Sequence, residues 1–259
     1  MQTLVRQLGE QQVAAFFLVL ARVSPLFLLG PLFAARQIPA RVRGIVAVAL
    51  AVGFAPIAIR GVRLDLDPFG LGELMLKELV VGLAFAFAVG VVLAAVQVAG
   101  TFLDTLSGFA YGSLVDPITG NNNAIISQVY TLVGLLIFIA IGGDALVLQG
   151  IARTYELVPI DEAPSLAILT AGALQAFSSI FVAALELAAP VILALVITDV
   201  TFGLMTRTVP ALNVFAVGAP AKIAVTLLLM GTSLTFAGSW LEGEVQRSVG
   251  DALRSIRTG

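Results

Sequence analysis

The stretch Leu79–Leu103, "LVVGLAFAFAVGVVLAAVQVAGTFL", contains no Asp, Glu, Lys or Arg. A helix needs about 20 predominantly apolar residues to cross the hydrocarbon core of a bilayer. Within lipid its backbone groups must all bond internally, so the stretch reads as a membrane helix. Gly82, Ala86, Gly90 and Ala94 recur at a spacing of four and form one smooth ridge along that helix. Such a ridge lets another backbone approach closely, and membrane helices associate in this way without a hydrophobic drive. Packing within the chain and packing between chains both suit it, and in either case this face lies against protein. Gln97 and Gly100 carry the polar or small character toward the segment's end.

Similar apolar windows lie at 13–35, 42–59, 124–141, 166–198 and 219–240, making six hydrophobic segments in all. The second is short, and the fifth is long and interrupted by Glu186 and Pro190. The chain is 59% hydrophobic and 12% charged, with a mean hydropathy of +1.05, whereas soluble domains carry about 25% charged residues. The expected fold is an all-α integral membrane-type protein with a single domain over 1–259. The run from Val13 to Ala35 is too long for a signal-peptide core, lacks a small-x-small cleavage site and follows Arg6 and Glu10 rather than a basic cluster. It reads as a retained span.

Absences narrow the chemistry. The chain has no Cys and no His, which removes thiolate chemistry, the commonest metal ligand and the commonest neutral-pH base. It also lacks GxxxxGK[ST], GxGxxG and GxSxG motifs, so neither enzyme activity nor a cofactor is expected. A net charge of −2 and a pI near 5.1 give no nucleic-acid signature. Among the residues outside the segments, Arg6, Arg60, Arg63, Lys77, Arg153, Arg247, Arg254 and Arg257 fall on one side. Arg36, Arg41, Arg43, Arg207 and Lys222 fall on the other. The excess favours cytoplasmic termini.

Arg22, Glu186 and Asp199 sit within or at the edge of apolar runs. A charge at membrane depth costs about 2.5–3.5 kcal/mol on insertion scales, so each needs a cavity, a counter-charge or an interface. Arg22 and Asp199 lie near segment ends and can snorkel. Glu186 is deeper, and it reads either as a proton-relay carboxylate or as a hydrogen-bonding group for a neighbouring helix. Asp199 and Lys222 close the same polar insertion and are expected to pair. Within that insertion Pro210 ends one helix and Pro220 starts the next near Ala219. Val214, Phe215 and Val217 keep the turn apolar.

Two further stretches are amphipathic. After Asp144, Leu148, Ile151, Ala152 and Tyr155 share one face and Gln149, Arg153 and Glu156 another. In the tail, Leu241, Val245, Val249, Leu253 and Ile256 oppose Glu244, Arg247, Asp251 and Arg254. Both are expected to lie at the membrane interface, with docking onto partner helices as the alternative.

Between the third and fourth segments runs Ser107–Asn123, "SGFAYGSLVDPITGNNN". Gly108, Gly112 and Gly120 permit backbone geometries closed to other residues, and Asp116-Pro117 favours a turn. A non-helical backbone of this kind cannot face acyl chains, which leaves open water, a protein interior or a water-filled path. Phe109, Tyr111, Leu114 and Val115 are apolar for a water-exposed loop, and they suit a constriction or plug.

Three stretches of the chain resemble the FliR family of flagellar and type III secretion export-gate proteins. The first is "ARVSPLFLLGPLFAARQIPARVR", with Arg22, Pro31, Ile38-Pro39 and Arg41 placed as in that family. The second is Ser107–Asn123, with Gly108, Ala110 and the Val115–Pro117 step. The third, and the most specific, is "DVTFGLMTRTVPALNVFAVGAPAKI", from Asp199 to Ile223. It departs from the family at Ala211, where a polar residue is common. The resemblance implies a subunit of the core export gate, with FliP-family, FliQ-family and FlhB-family partners, at the centre of the flagellar basal body in the bacterial inner membrane. It implies broken helical hairpins stacked around a channel that passes unfolded flagellar proteins, driven by a proton gradient and an ATPase that other components supply. The ridge would then serve intersubunit packing. Gly108, Phe109, Ala110, Tyr111, Gly112, Ser113, Leu114 and Val115 would form a channel plug. Alternatives are an injectisome member of the same family, and a secondary transporter with Glu186 and Asp199 as coupling carboxylates.

Overall fold

The computed structural model describes residues 2–34, 38–60, 64, 67–109, 125–161, 165–209 and 214–256. Helices account for nearly all of them. In chain order they are α1 (Gln2–Val23), α2 (Leu26–Leu29), a 3₁₀ turn (Leu32–Ala34), α3 (Ala40–Ala58), α4 (Pro68–Ser107), α5 (Ile125–Ala140), α6 (Gly143–Leu157), α7 (Leu166–Thr208) and α8 (Val214–Ile256). Five stretches are long and apolar enough to cross a membrane, and the bent pair α5–α6 makes a sixth.

Local chemistry sets the boundaries. Asp67 caps α4: its carbonyl accepts the Leu71 N–H at 2.9 Å and its carboxylate the Gly70 N–H at 3.3 Å. Pro68 follows at the first helical position, where its missing N–H leaves nothing unpaired. The same helix stops at Ser107 because Gly108 takes a left-handed turn, φ 90°. Gly142, at φ 70°, separates α5 from α6 and allows a bend of 68°.

Prolines do not break the long helices. α7 runs through Glu186, Pro190 and Asp199 to Thr208, beyond the expected end of the fifth segment. An interior proline costs about 3 kcal/mol. Around Pro190, Ala184, Leu187, Ala188, Val191 and Leu195 are buried and hold the helix together. α8 starts at Val214 rather than near Ala219, so Pro220 lies inside it.

The described chain forms two compact units, 1–91 with 138–178 and 244–259, and 92–137 with 179–243. The first buries Leu18, Val23, Leu26, Phe85 and Val89, and contains a cluster of Val81, Val158, Leu169 and Ile256. The second buries Val96, Ala99 and Leu103 of α4, Ile126 and Tyr130 of α5, the inward face of α7, and Trp240 and Leu241 of α8.

Both amphipathic stretches depart from the interfacial reading. Val147, Ile151 and Tyr155 of α6 are buried, as are Leu241, Val245 and Ile256 of the continuous α8. Gly150 lies against Phe85 and Val249. Their apolar faces are covered by this chain's own helices, so they cannot also rest in the headgroup layer.

The small-residue ridge is likewise used within the chain. A Cβ on Gly82 would strike the carbonyl oxygen of Arg22, and one on Gly90 would lie 2.5 Å from that of Leu29. Ala86 between them is fully buried, and Ala94 is half-buried.

Candidate functional site

The break after α4 has a built base. Asp104, 2% exposed, points its carboxylate at the start of α5. Oδ1 accepts the Ile126 N–H at 3.0 Å and Oδ2 the Ser127 N–H at 2.9 Å. First-turn N–H groups have no partner within their own helix, and the positive helix end favours an anion there. Asp104 therefore caps α5 from the neighbouring helix. Ser127 Oγ donates to the Gln97 carbonyl at 3.0 Å, and a Cβ on Gly100 would lie 2.5 Å from the Ser127 Cα. The chain thus leaves α4 at Gly108 and re-enters at Ile125 with both ends tied together. Of the expected plug, Gly108 and Phe109 are described, both half-buried, and the Phe109 N–H donates to Ser107 Oγ at 3.5 Å. Ala110, Tyr111, Gly112, Ser113, Leu114 and Val115 lie outside the described residues.

Arg22 does not snorkel. It is fully buried, and its Nε and Nη2 donate to Glu78 Oε2 and Oε1 at 2.5 and 2.7 Å. Nη2 also reaches the Val158 carbonyl at 2.9 Å, and Nη1 reaches Thr154 Oγ1 at 3.2 Å. The guanidinium carbon lies 4.2 Å from the ring centroid of Tyr155. A planar, bidentate cation whose three nitrogens all donate hydrogen bonds has no need of an interface. Lys77 beside it donates to the Pro159 carbonyl at 3.2 Å and to that of Ile160. The cluster ties α1, α4 and the end of α6 together.

The remaining intramembrane charges are arranged differently. Lys222 Nζ meets Asp199 Oδ1 at 2.8 Å, joining α7 to α8 on a side that leaves Asp199 half exposed. Glu186, mid-way along α7, lies on an exposed face of that helix, and it accepts the Trp240 indole N–H at 3.3 Å. No described contact links Glu186 to Asp199.

The family described as "Bacterial export proteins, family 1" matches residues 13–248. The chain belongs to that family. It is 34% identical to the flagellar biosynthetic protein FliR of Bacillus subtilis (strain 168), over 83% of this chain and 84% of the relative. FliR of Escherichia coli (strain K12) is 26% identical, over 88% and 87%. The surface presentation of antigens protein SpaR of Salmonella typhimurium is 26% identical, over 84% and 82%. The chain is thus a membrane-embedded, all-helical export-family protein.

Sequence reasoning did not single out Glu78, Asp104, Thr154 or Trp240 in this export-family chain. Glu78 and Asp104 bracket the uncharged stretch 79–103, and that position was a usable signal, because a carboxylate at the edge of an apolar run needs a partner. Thr154 and Trp240 gave no local signal.

Proposed function

We propose that this chain is a wall and gating subunit of a flagellar type III export gate, acting as one domain over 1–259. Its place is the bacterial inner membrane, at the centre of the basal body. Its partners are FliP-, FliQ- and FlhB-family subunits, and its cargo is unfolded flagellar protein. It supplies channel wall and closure rather than chemistry. Membership of the export family and the FliR relatives support this reading, and one structural observation carries the gating part. Asp104 of α4 bonds the first turn of α5 and Gly108 ends α4 in a left-handed turn, which supports a plug placed between two helix ends that are tied together. Gly108, Phe109, Ala110, Tyr111, Gly112, Ser113, Leu114 and Val115 form the plug in this proposal, and their small and bulky apolar side chains fill a lumen without charge.

Replacing 110–121 by a short Gly/Ser linker, with Asp104 and Gly108 kept, should raise ion leakage through the assembled gate. Conductance measurements on a complex of unchanged subunit composition test it, and a tight complex would sink the plug assignment. The SpaR relative supports a second reading, the same gate in an injectisome. Complementation of flagellar and of virulence secretion mutants separates the two. Purification from native membranes without FliP- and FliQ-like subunits would instead favour a small-solute transporter.

A further inference from the structure

The first turn of α5 is capped from a distance. A helix start leaves four N–H groups without partners, and the residue just before the helix ordinarily bonds the second or third of them through a side-chain oxygen. Ser, Thr, Asp and Asn do this well, and Ala has no oxygen to offer. The residue before α5 is Ala124. The second and third N–H groups, those of Ile126 and Ser127, go instead to the two oxygens of Asp104, 22 and 23 residues back on α4. Asp104 is buried, and no Lys or Arg lies between Lys77 and Arg153. Among the described residues no ion pair involves it. These two N–H groups and the positive helix end are what hold the carboxylate.

The same residue also holds the other side of the break. Ser107 Oγ donates to the Asp104 carbonyl at 3.3 Å and accepts the Phe109 N–H at 3.5 Å. The exit from α4 and the entry to α5 therefore both hang on residue 104. A local cap would keep the first turn of α5 in order wherever α5 sat. A cap lent by α4 keeps it only while the two helices touch. Gly100, whose Cβ would lie 2.5 Å from the Ser127 Cα, is what lets them touch here. We infer that Asp104 is the positioning residue of the gate, a latch whose two bonds make the order of the first turn of α5 conditional on contact with α4. When the latch lets go, that turn unwinds and the two ends of the break separate together. This rests on the proposed function only in calling the break a gate; the latch itself is a property of α4 and α5.

Hydrogen exchange reads the two amides. Spin labels on Thr105→Cys and Ile125→Cys, both exposed positions in a chain without cysteine, read the separation of the helix ends. Asp104→Asn keeps the side-chain shape and turns one acceptor into a donor. In the full chain reconstituted in bilayers it should speed exchange at Ile126 and Ser127 about tenfold or more, the loss of one hydrogen bond to a charge, and broaden the label distance. Adding Ala124→Ser supplies a local cap; it should slow the exchange again and leave the distance broad. Gly100→Ala pushes Ser127 away with the carboxylate intact, and should give the same two changes even if Asp104→Asn folds poorly. Exchange and distance unmoved in both variants overturn the latch. So does a return of both to their original values on adding Ala124→Ser, since Asp104 would then be a cap and nothing more. In the complex purified from native membranes, Asp104→Asn should also raise ion leakage. A broadened distance in a gate that stays tight supports the latch and overturns the plug reading instead.

Discussion

Arg22 and Glu78 share two hydrogen bonds with neither side chain reaching solvent or lipid. A buried pair of this kind adds little net stability, because desolvation offsets most of the attraction, but breaking it leaves an uncompensated charge. Arg22→Ala or Glu78→Ala should therefore each cost about 3–5 kcal/mol, whereas an apolar pair such as Arg22→Met with Glu78→Leu should cost far less. Unfolding of the purified chain in detergent, compared across the three variants, checks this. If the double variant is as unstable as the singles, the pair does more than satisfy two charges. Arg22 was legible in the sequence as a charge needing a partner. Its partner lies 56 residues away and was not. Asp199 and Lys222 were easier, since both bound one short polar insertion and the hairpin geometry of α7 and α8 does the rest.

Elements were legible wherever periodicity and composition act locally. The apolar windows coincide with helices over most of their length, the first being divided among α1, α2 and the 3₁₀ turn, and α4 ends at the first glycine of the stretch where glycines and Asp-Pro interrupt the pattern. What misled was punctuation. Pro190 reads as an interruption and Pro220 as a helix start, yet both sit inside long helices, because tertiary packing on flanking residues outweighs one missing hydrogen bond. Gly142 is the converse case, a residue that does set a boundary. It has open space around it but a φ of 70°. Gly142→Ala should thus lose about 1–2 kcal/mol through backbone strain alone, read as a lowered melting temperature with the helix content unchanged. An unchanged melting temperature would mean that the bend relaxes without cost.

At the scale of the whole molecule, the question is which faces the chain keeps for itself. The ridge of α4 is spent internally, since Gly82 and Gly90 meet the backbone of Arg22 and Leu29. Backbone cannot swing aside as a side chain can. Gly82→Ala should therefore destabilise the isolated chain before any assembly, while Gly231→Ala, with nothing within 4 Å, should be close to neutral or slightly stabilising. Stability of the two purified variants in detergent decides it. A Gly82→Ala chain that is stable alone but fails only to assemble would reassign the ridge to a subunit interface.

Sequence alone determined the all-helical membrane class, the position of the hydrophobic segments and the site of the central break. Each follows from local quantities: hydropathy over about 20 residues, and glycine or proline at a given step. Tertiary structure alone decided that Glu78 answers Arg22, that Asp104 caps α5 from α4, and that the amphipathic faces of α6 and α8 are buried. An amphipathic stripe states that a face must be covered, not by what. In a chain this apolar, lipid, a partner and the chain's own helices offer nearly the same hydrophobic environment, so close approach and charge pairing across long sequence separations make the choice.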